Sequence, residues 1–445
     1  MDSAKSPPKK LPRVASLSAP FSVAPPGSKS IANRALPLAA LAKGLKGNPD
    51  ETRVANLPQG DDVVLMTEAL RKLGHVTGTK EGNARIRGTE RFITDTSVEL
   101  FLGNSGTATR ILTALLAAGE GTFRVTGVPR MYERPIGDLV EALLPLCGDT
   151  EIKYDGKAGY PPLTMLARGL AGGKTTIRGN LSSQFVTGLL MAMPLCRGRV
   201  EVEITGKLVS APYVDLTLQM MEAFGAKVER DGYTRFWIER PAGYVSPVDY
   251  YVEADASSAS YFLAASAITG GDVTVLGVDT NSAQGEAQFI RALEKMGAKV
   301  GDAKSENSLR VAGTKKLRGI DIDMDLMSDT GMTLAVVALF AEGKTTIRNV
   351  GNWRLKETDR LAAMATELRK LGATVEEGPD CISIDPPAKL NENVTIDTYD
   401  DHRMAMCFSL VTLGPKGVAV TINDPDCVRK TYPGYWTDLE RMTQG

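Results

Sequence analysis

Glycines that end amphipathic helices recur along this chain at a nearly constant interval, and that period constrains the fold more than any other feature. The segments LRKLG, LLPLCG, MEAFGAKV, LEKMGAKV and LRKLGATV place Gly74, Gly148, Gly225, Gly297 and Gly372, and LERMTQG closes on Gly445. Successive members lie 74, 77, 72, 75 and 73 residues apart. A glycine just past a helix enters the left-handed region without a Cβ clash; one instance means little, but six at one interval indicate repeated units. A second series interleaves with the first. Small apolar helices end at Gly44, Gly121, Gly198, Gly271, Gly343 and Gly417, spaced 77, 77, 73, 72 and 74, and most run into β-type segments such as FRVTGV, VEVEITG and VTVLGV. The hexapeptide GKTTIR occurs at 173–178 and again at 343–348. Each unit is thus two helices plus several short strands, with three units to each half.

The two helix classes differ in amphipathicity. MTLAVVALFAEG and SYFLAASAITGG are apolar on all sides, the pattern of helices buried all round, whereas the LEKM and LRKL series keeps one polar face. Each half is therefore expected to bury three helices behind sheets whose other faces meet the outer helices. An ordinary doubly wound α/β fold accounts for neither the interleaved series nor the buried helices.

Composition narrows function mainly by exclusion. With 445 residues, 43% apolar, the chain can fill two cores. Its 52 basic and 53 acidic residues leave no basic surplus for nucleic acid, so any anion site is local. Cys147, Cys196, Cys381, Cys407 and Cys427 form no C-x-x-C pair, and His75 and His402 are the only histidines. No metal site, cofactor fingerprint or disulfide framework is expected. No apolar run approaches the roughly 20 residues of a membrane span. Residues 1–20 are rich in Ser, Pro and Lys and read as a disordered arm.

Polar residues gather where the buried helices begin: Gly27-Ser28-Lys29-Ser30 through Arg34, Gly103-Asn104-Ser105-Gly106-Thr107, Ser182-Ser183-Gln184, Asp255-Ala256-Ser257-Ser258, Ser328-Asp329 and Asp400-Asp401-His402-Arg403. N-capping explains the Ser and Asp content. It does not explain Lys29, Arg34 and Arg403, because cations near a helix N-terminus oppose its dipole. Their presence implies an anion held between basic side chains and free N–H groups. Gly173-Lys174-Thr175 and Gly343-Lys344-Thr345 resemble the end of a phosphate loop, but positions 168 and 338 are Arg and Ala where that motif needs glycine. In Asn352-Trp353-Arg354-Leu355-Lys356-Glu357-Thr358-Asp359-Arg360, helical spacing would put Asn352, Lys356 and Arg360 on one face.

In this order PPGSKSIANR, LGNSGTATR, ERPIGDL, SSQF, DASSASYFLA, NWRLKETDR, DDHRMAM and DPDCVRKTYP resemble the motifs of the 5-enolpyruvylshikimate-3-phosphate synthase family, the plant-like type especially, from about residue 20 to the end. The resemblance implies a two-domain inside-out α/β barrel of six repeated units with buried parallel helices. Its domains would be 21–27 with 254–445, and 28–253, closing around the substrates. It also implies transfer of the enolpyruvyl group of phosphoenolpyruvate to the 5-hydroxyl of shikimate 3-phosphate, without cofactor or metal. Mapped onto this chain, it assigns shikimate 3-phosphate to Lys29, Ser30, Arg34, Ser182, Ser183, Gln184, Ser210, Asp329, Asn352 and Lys356, with Tyr213 lining the same wall. Phosphoenolpyruvate falls to Lys29, Asn104, Gly106, Arg134, Gln184, Arg360, Arg403 and Lys430.

The chemistry needs an acid at the methylene of phosphoenolpyruvate and a base at the acceptor hydroxyl. Asp329 is the expected base; Glu357 and Lys29 are both candidates for the methylene proton, and the basic residues, Lys430 among them, stabilise departing charge. His402 is expected to orient its neighbours. Cys427, three residues before Lys430, is either a thiol activated by that cation or a packing residue. Three departures from the family stand out: Pro37 inside the first buried helix, where it can introduce a kink; Ser105 where Ala is common; and Ile111 where plant-like members have Pro. Gly106 fits a glyphosate-sensitive member, an effect that Ile111 can weaken. The resemblance further implies a monomer in the plastid stroma, or alternatively the cytoplasm. Its rivals are the sister enolpyruvyl transferase acting on UDP-N-acetylglucosamine and a non-catalytic scaffold.

Overall fold

The computed structural model describes residues 6–17, 20–44, 50–301, 307–313 and 316–444. The chain divides into two compact units, Met1–Pro26 with Ala254–Gly445 (unit 1) and Gly27–Glu253 (unit 2). Among the described residues unit 2 holds the helices α1 (Lys29–Ala40), α2 (Asp61–Lys72), α3 (Gly106–Ala117), α4 (Gly137–Leu143), α5 (Ser183–Ala192) and α6 (Pro212–Ala223). Unit 1 holds α7 (Ala256–Thr269), α8 (Phe289–Lys295), α9 (Gly331–Val337), α10 (Arg360–Lys370), α11 (His402–Ser409) and α12 (Tyr435–Gln444).

The odd-numbered helices are the all-apolar class and are enclosed: every residue of α9 and α11 is buried, as is α7 from Ala256 to Ile268. The even-numbered helices keep an exposed face and end as the period requires. Gly74, Gly148, Gly225, Gly297 and Gly372 have φ of 85°, 53°, 77°, 102° and 95°. A Cβ at any of them would be strained, which is why the spacing is visible in the sequence. Gly445 lies outside the described residues. The second series is less regular. Gly121 and Gly343 are left-handed, but α7 ends on Gly270 rather than Gly271, and α5, α9 and α11 tighten into 3-10 turns at Met193–Leu195, Ala338–Phe340 and Leu410–Thr412.

Each of the seven sheets among the described residues contains one parallel strand pair, the smallest being Ala42–Lys43 with Tyr244–Val245 alone; the other six have three or four strands. In four of them that pair brackets a buried helix directly: Val98–Phe101 and Glu120–Thr126 around α3, Gly173–Arg178 and Val200–Thr205 around α5, Asp321–Asp323 and Thr345–Arg348 around α9, Val394–Ile396 and Val420–Ile422 around α11. In the other two, Glu51–Ala55 pairs with Asp249–Tyr251 and Phe21–Val23 with Asp272–Leu276. Some of the sheet strands alternate. Asn83–Arg87 buries Ala84 and Ile86 and exposes Asn83, Arg85 and Arg87, and Gly173–Arg178 exposes Lys174, Thr176 and Arg178. On these two strands the second face carries exposed side chains, where outer helices were expected to cover it. Close approach of the buried helices is needed instead. A Cβ at Gly188 of α5 would sit 2.8 Å from the Arg110 carbonyl oxygen of α3.

Three further expectations change. The described part of the N-terminal arm is not disordered: Lys9–Leu11 adds an antiparallel strand to Val420–Ile422, and Ser6 donates to Asp424 through both N and Oγ. The strand's backbone groups find partners at a sheet edge, which local composition does not reveal. The two GKTTIR copies are not equivalent. The first forms the edge strand of its sheet, whereas the second lies one place further in, because their separation is not a multiple of the repeat. Pro37 is accommodated within α1, which runs unbroken from Lys29 to Ala40.

Candidate active site

In unit 1 the polar residues meet on one carboxylate. Asp329 lies in the 3-10 segment Asp325–Thr330, which departs from helical geometry at Met327 (φ −143°, ψ 43°) just before α9. Its Oδ1 accepts from Lys356 Nζ and Arg360 Nη1, both at 3.1 Å, and its Oδ2 accepts from Arg403 Nη2 at 3.0 Å. Burial opposes ionisation, but Lys356, Arg403 and Arg360 together outweigh it and hold the carboxyl well below the usual range.

Arg360, the first residue of α10, is enclosed by carboxylates. Its Nε donates to Asp401 at 2.7 Å and its Nη2 to Glu357 at 3.0 Å. Burial works against its charge, and Asp401, Glu357 and Asp329 more than restore it, so its pKa is raised. Asp401 also caps α11, accepting from Arg403 N at 2.9 Å, and His402 Nδ1 lies 3.5 Å from it. The chain enters this cap through Tyr399 and Asp400, both left-handed at φ 54° and 57°. Non-glycine residues adopt that conformation at a cost of about 1 kcal/mol or more each, and such strain concentrates at functional sites.

The run from Asn352 to Arg360 is not one helix. A 3-10 turn, Gly351–Leu355, carries Asn352 and Trp353, Lys356 is extended, and α10 starts only at Arg360, capped by Asp359. Asn352, Lys356 and Arg360 still converge, because the Trp353 indole donates to the Ser328 carbonyl at 2.9 Å and Asn352 Nδ2 to Ser328 Oγ at 3.3 Å. Both bonds tie the turn to the residue before Asp329.

Two predicted residues lie on the turn Pro425–Lys430. Lys430 ends the turn Pro425–Lys430 and acts on Asp400, whose carboxyl is raised by burial against the pull of Lys430. Cys427 does not fit an activated thiol: burial pushes its pKa up, and Thr398, which bonds it, offsets only part of that.

Unit 2 contributes separate groups. Lys29 opens α1 and pairs with Asp62 at 3.2 Å, while the Ser28 side chain caps the helix. Ser30 follows Lys29, and its carbonyl accepts from Arg34 Nη1 at 2.7 Å. The rest of the Arg34 guanidinium is embedded: Nε donates to Thr217 at 2.9 Å, Nη2 to Thr187 at 3.2 Å and to the Tyr213 carbonyl at 3.4 Å, with the Tyr213 ring 5.8 Å away. Arg34 thereby joins α1, α5 and α6. Ser210 precedes α6 in a left-handed conformation with φ 53°. Ser182 caps α5, accepting from Gln184 N at 3.2 Å, so Ser183 and Gln184 occupy its first turn.

At α3, Arg134 Nη1 donates to Asn104 O at 2.9 Å and Asn104 Oδ1 at 3.1 Å. Its guanidinium lies against Gly106, where an added Cβ would be 2.9 Å from Arg134 Cζ. Arg110 fixes this arrangement, donating to the Pro135 carbonyl at 2.6 Å and the Gly106 carbonyl at 3.3 Å. Ile111, next to it, is fully buried.

Sequence reasoning missed Asp62, Arg110, Trp353 and Asp401 as members of these clusters. Asp62 sits in the first turn of α2 and Asp401 caps α11, places where an acid is ordinary. Only their pairing with Lys29 and Arg360 distinguishes them. Among the described residues no three His, Cys, Asp or Glu side chains gather as a metal site, and no helix is long and apolar enough to cross a membrane.

The geometry has counterparts in known proteins. The family described as EPSP synthase (3-phosphoshikimate 1-carboxyvinyltransferase) matches residues 18–439. The 3-phosphoshikimate 1-carboxyvinyltransferase of Shewanella denitrificans is 52% identical over 422 residues, covering 94% of this chain and 95% of the relative. That of Thiobacillus denitrificans is 52% identical over 420 residues, covering 94% and 96%. The solved EPSP synthase from Acinetobacter baumannii aligns at a TM-score of 0.79 and 26% identity, covering 97% of each chain. The enolpyruvyl transferase NikO from Streptomyces tendae, 17% identical at a TM-score of 0.75, shares the fold. With a family match across nearly its whole length and relatives about half identical to it, the chain belongs to the EPSP synthase (3-phosphoshikimate 1-carboxyvinyltransferase) family.

Proposed function

We propose that this chain transfers the enolpyruvyl group of phosphoenolpyruvate to the 5-hydroxyl of shikimate 3-phosphate and releases phosphate. The observation that carries the residue roles is the convergence of Lys356, Arg360 and Arg403 on Asp329. Three cations around one carboxylate are a binding site for small anions with a resident counter-ion. Shikimate 3-phosphate takes Lys356 and Asn352 together with Lys29, Ser30, Arg34, Ser182, Ser183, Gln184, Ser210 and Tyr213. Phosphoenolpyruvate takes Arg360, Arg403 and Lys430 together with Lys29, Asn104, Gly106, Arg134 and Gln184.

Asp329 with three cations on it is a poor base. Substrate phosphate and carboxylate draw those cations away, which raises the proton affinity of Asp329 as the acceptor hydroxyl arrives. The hydroxyl gives its proton to Asp329, and its oxygen bonds to the enol carbon while the methylene gains a proton from Glu357 or Lys29. The tetrahedral adduct then loses phosphate, regenerating the enol ether as a proton leaves the methyl group. Arg134, Arg360 and Arg403 balance the departing charge.

Glyphosate competes with phosphoenolpyruvate, the chain acts as a monomer, and its bacterial relatives favour the cytoplasm over a plastid. The sister activity on UDP-N-acetylglucosamine uses a loop cysteine as its acid, and the half-buried Cys427 thiol, its pKa pushed up by burial, is a weak proton donor for that role. Phosphate release measured with each acceptor decides the matter. Turnover is expected with shikimate 3-phosphate, and turnover confined to the UDP-sugar overturns the proposal.

A further inference from the structure

The helix α7 brings no charged side chain to the cluster, only an N-cap: Asp255 Oδ1 accepts from Ser257 N at 2.8 Å and Ser258 N at 3.4 Å. One turn further along, Tyr261 is 1% exposed and its hydroxyl accepts from Arg403 Nη1 at 3.3 Å. The opposite arm of that guanidinium, Nη2, donates to Asp329. The Tyr261 ring stands edge-on to Tyr435 with centroids 5.6 Å apart, so the hydroxyl is fixed by the unit 1 core.

We propose that Tyr261 is a positioning residue for phosphoenolpyruvate binding, acting through Arg403. This rests on the assignment of Arg403 to that substrate. Arg403 sits in the first turn of α11, where the helix dipole disfavours a cation, so its guanidinium needs lateral anchors to stay aimed. Asp329 is one such anchor, but it is also the group that must be released for chemistry. Tyr261 is different in kind. A neutral phenol oxygen holds the guanidinium plane without neutralising its charge, whereas Arg360 is held by the carboxylates of Asp401 and Glu357. When an anion replaces Asp329 on Nη2, the Tyr261 bond keeps Nη1 in register.

Tyr261→Phe removes the hydroxyl and keeps the ring. The expected result is a rise of about tenfold in KM for phosphoenolpyruvate, the scale of one charged hydrogen bond. KM for shikimate 3-phosphate should stay within about twofold. Tyr435→Phe is the matched control: it deletes a second buried hydroxyl of the same aromatic cluster, one bonded to Ser409 Oγ at 2.7 Å and the Met406 carbonyl at 3.0 Å. It should lower Tm without moving either KM. If Tyr261→Phe behaves like Tyr435→Phe, raises both KM values alike, or fails to fold, Tyr261 is a packing residue and the proposal is overturned. Arg403→Lys separates this from the underlying assignment. An unchanged KM for phosphoenolpyruvate in that variant refutes the role of Arg403 itself, whereas a raised KM there with no effect of Tyr261→Phe refutes only the role of Tyr261.

Discussion

Substituting Gly106 by Ala sets affinity against stability in a way the coordinates quantify. The added methyl carbon would lie 2.9 Å from Arg134 Cζ, closer still to its Nη2, and 3.0 Å from Arg110 Nη1. Carbon atoms settle about 3.5–4.0 Å apart, so the guanidinium must retreat by about 0.6 Å or more. No backbone atom is among those approached, so the fold absorbs the change and the cost falls on the position of Arg134. From there Nη1 loses alignment with Asn104 O and Oδ1, now at 2.9 and 3.1 Å. A hydrogen bond from a charged donor is worth about 1.5–3 kcal/mol, roughly 10–150-fold in KM for phosphoenolpyruvate. Alanine meanwhile favours the start of α3 over glycine by up to about 1 kcal/mol. Steady-state kinetics at saturating shikimate 3-phosphate should therefore show a raised KM for phosphoenolpyruvate and an unchanged KM for the acceptor, with Tm equal or higher. A KM within about twofold of the parent, in a chain with unperturbed Tm, refutes the reasoning. Glyphosate inhibition should weaken in parallel, since the same guanidinium would hold it.

Because folding lowers the Asp329 pKa, its contribution to stability is present at neutral pH and fades as pH falls through the depressed value. Asp329→Asn should cost about 3–5 kcal/mol near neutrality, as expected for breaking a buried pair, with the gap to the parent narrowing below roughly pH 4; a gap independent of pH in urea titrations contradicts this. Cys427→Ala should keep kcat within about twofold, and iodoacetamide at neutral pH should leave the parent active, because burial keeps that thiol protonated; inactivation tracking modification of Cys427 would restore it to the chemistry.

The period was legible because the outer helices end on left-handed residues where side chains are penalised, as at Gly74 and Gly297. The buried helices α5, α9 and α11 end by tightening into 3-10 turns, which demand no particular residue, so Gly198 and Gly417 misjudge the ends of α5 and α11. The cations of the site could be picked out because Lys29 and Arg403 violate the dipole rule. Their partners could not, since Asp62 and Asp401 obey it. Arg34 shows the remaining limit: sequence marks it as an anion ligand, and only packing reveals that Thr187, Thr217 and Tyr213 already engage most of its guanidinium.

The division of the chain into units also sets an order of assembly at the ribosome. Unit 2 is contiguous from Gly27 to Glu253, and its ends are joined when Ser28 N donates to Glu253 O at 2.7 Å. It can fold as soon as that stretch has emerged, since domains form as units during synthesis. Unit 1 cannot. Phe21–Val23 must wait for Asp272–Leu276, and Ser6 for Asp424, 418 residues later. Its first strands therefore spend most of translation as unpaired edges beside a finished domain, and a pause or truncation after residue 253 leaves those strands, not unit 2, open to aggregation.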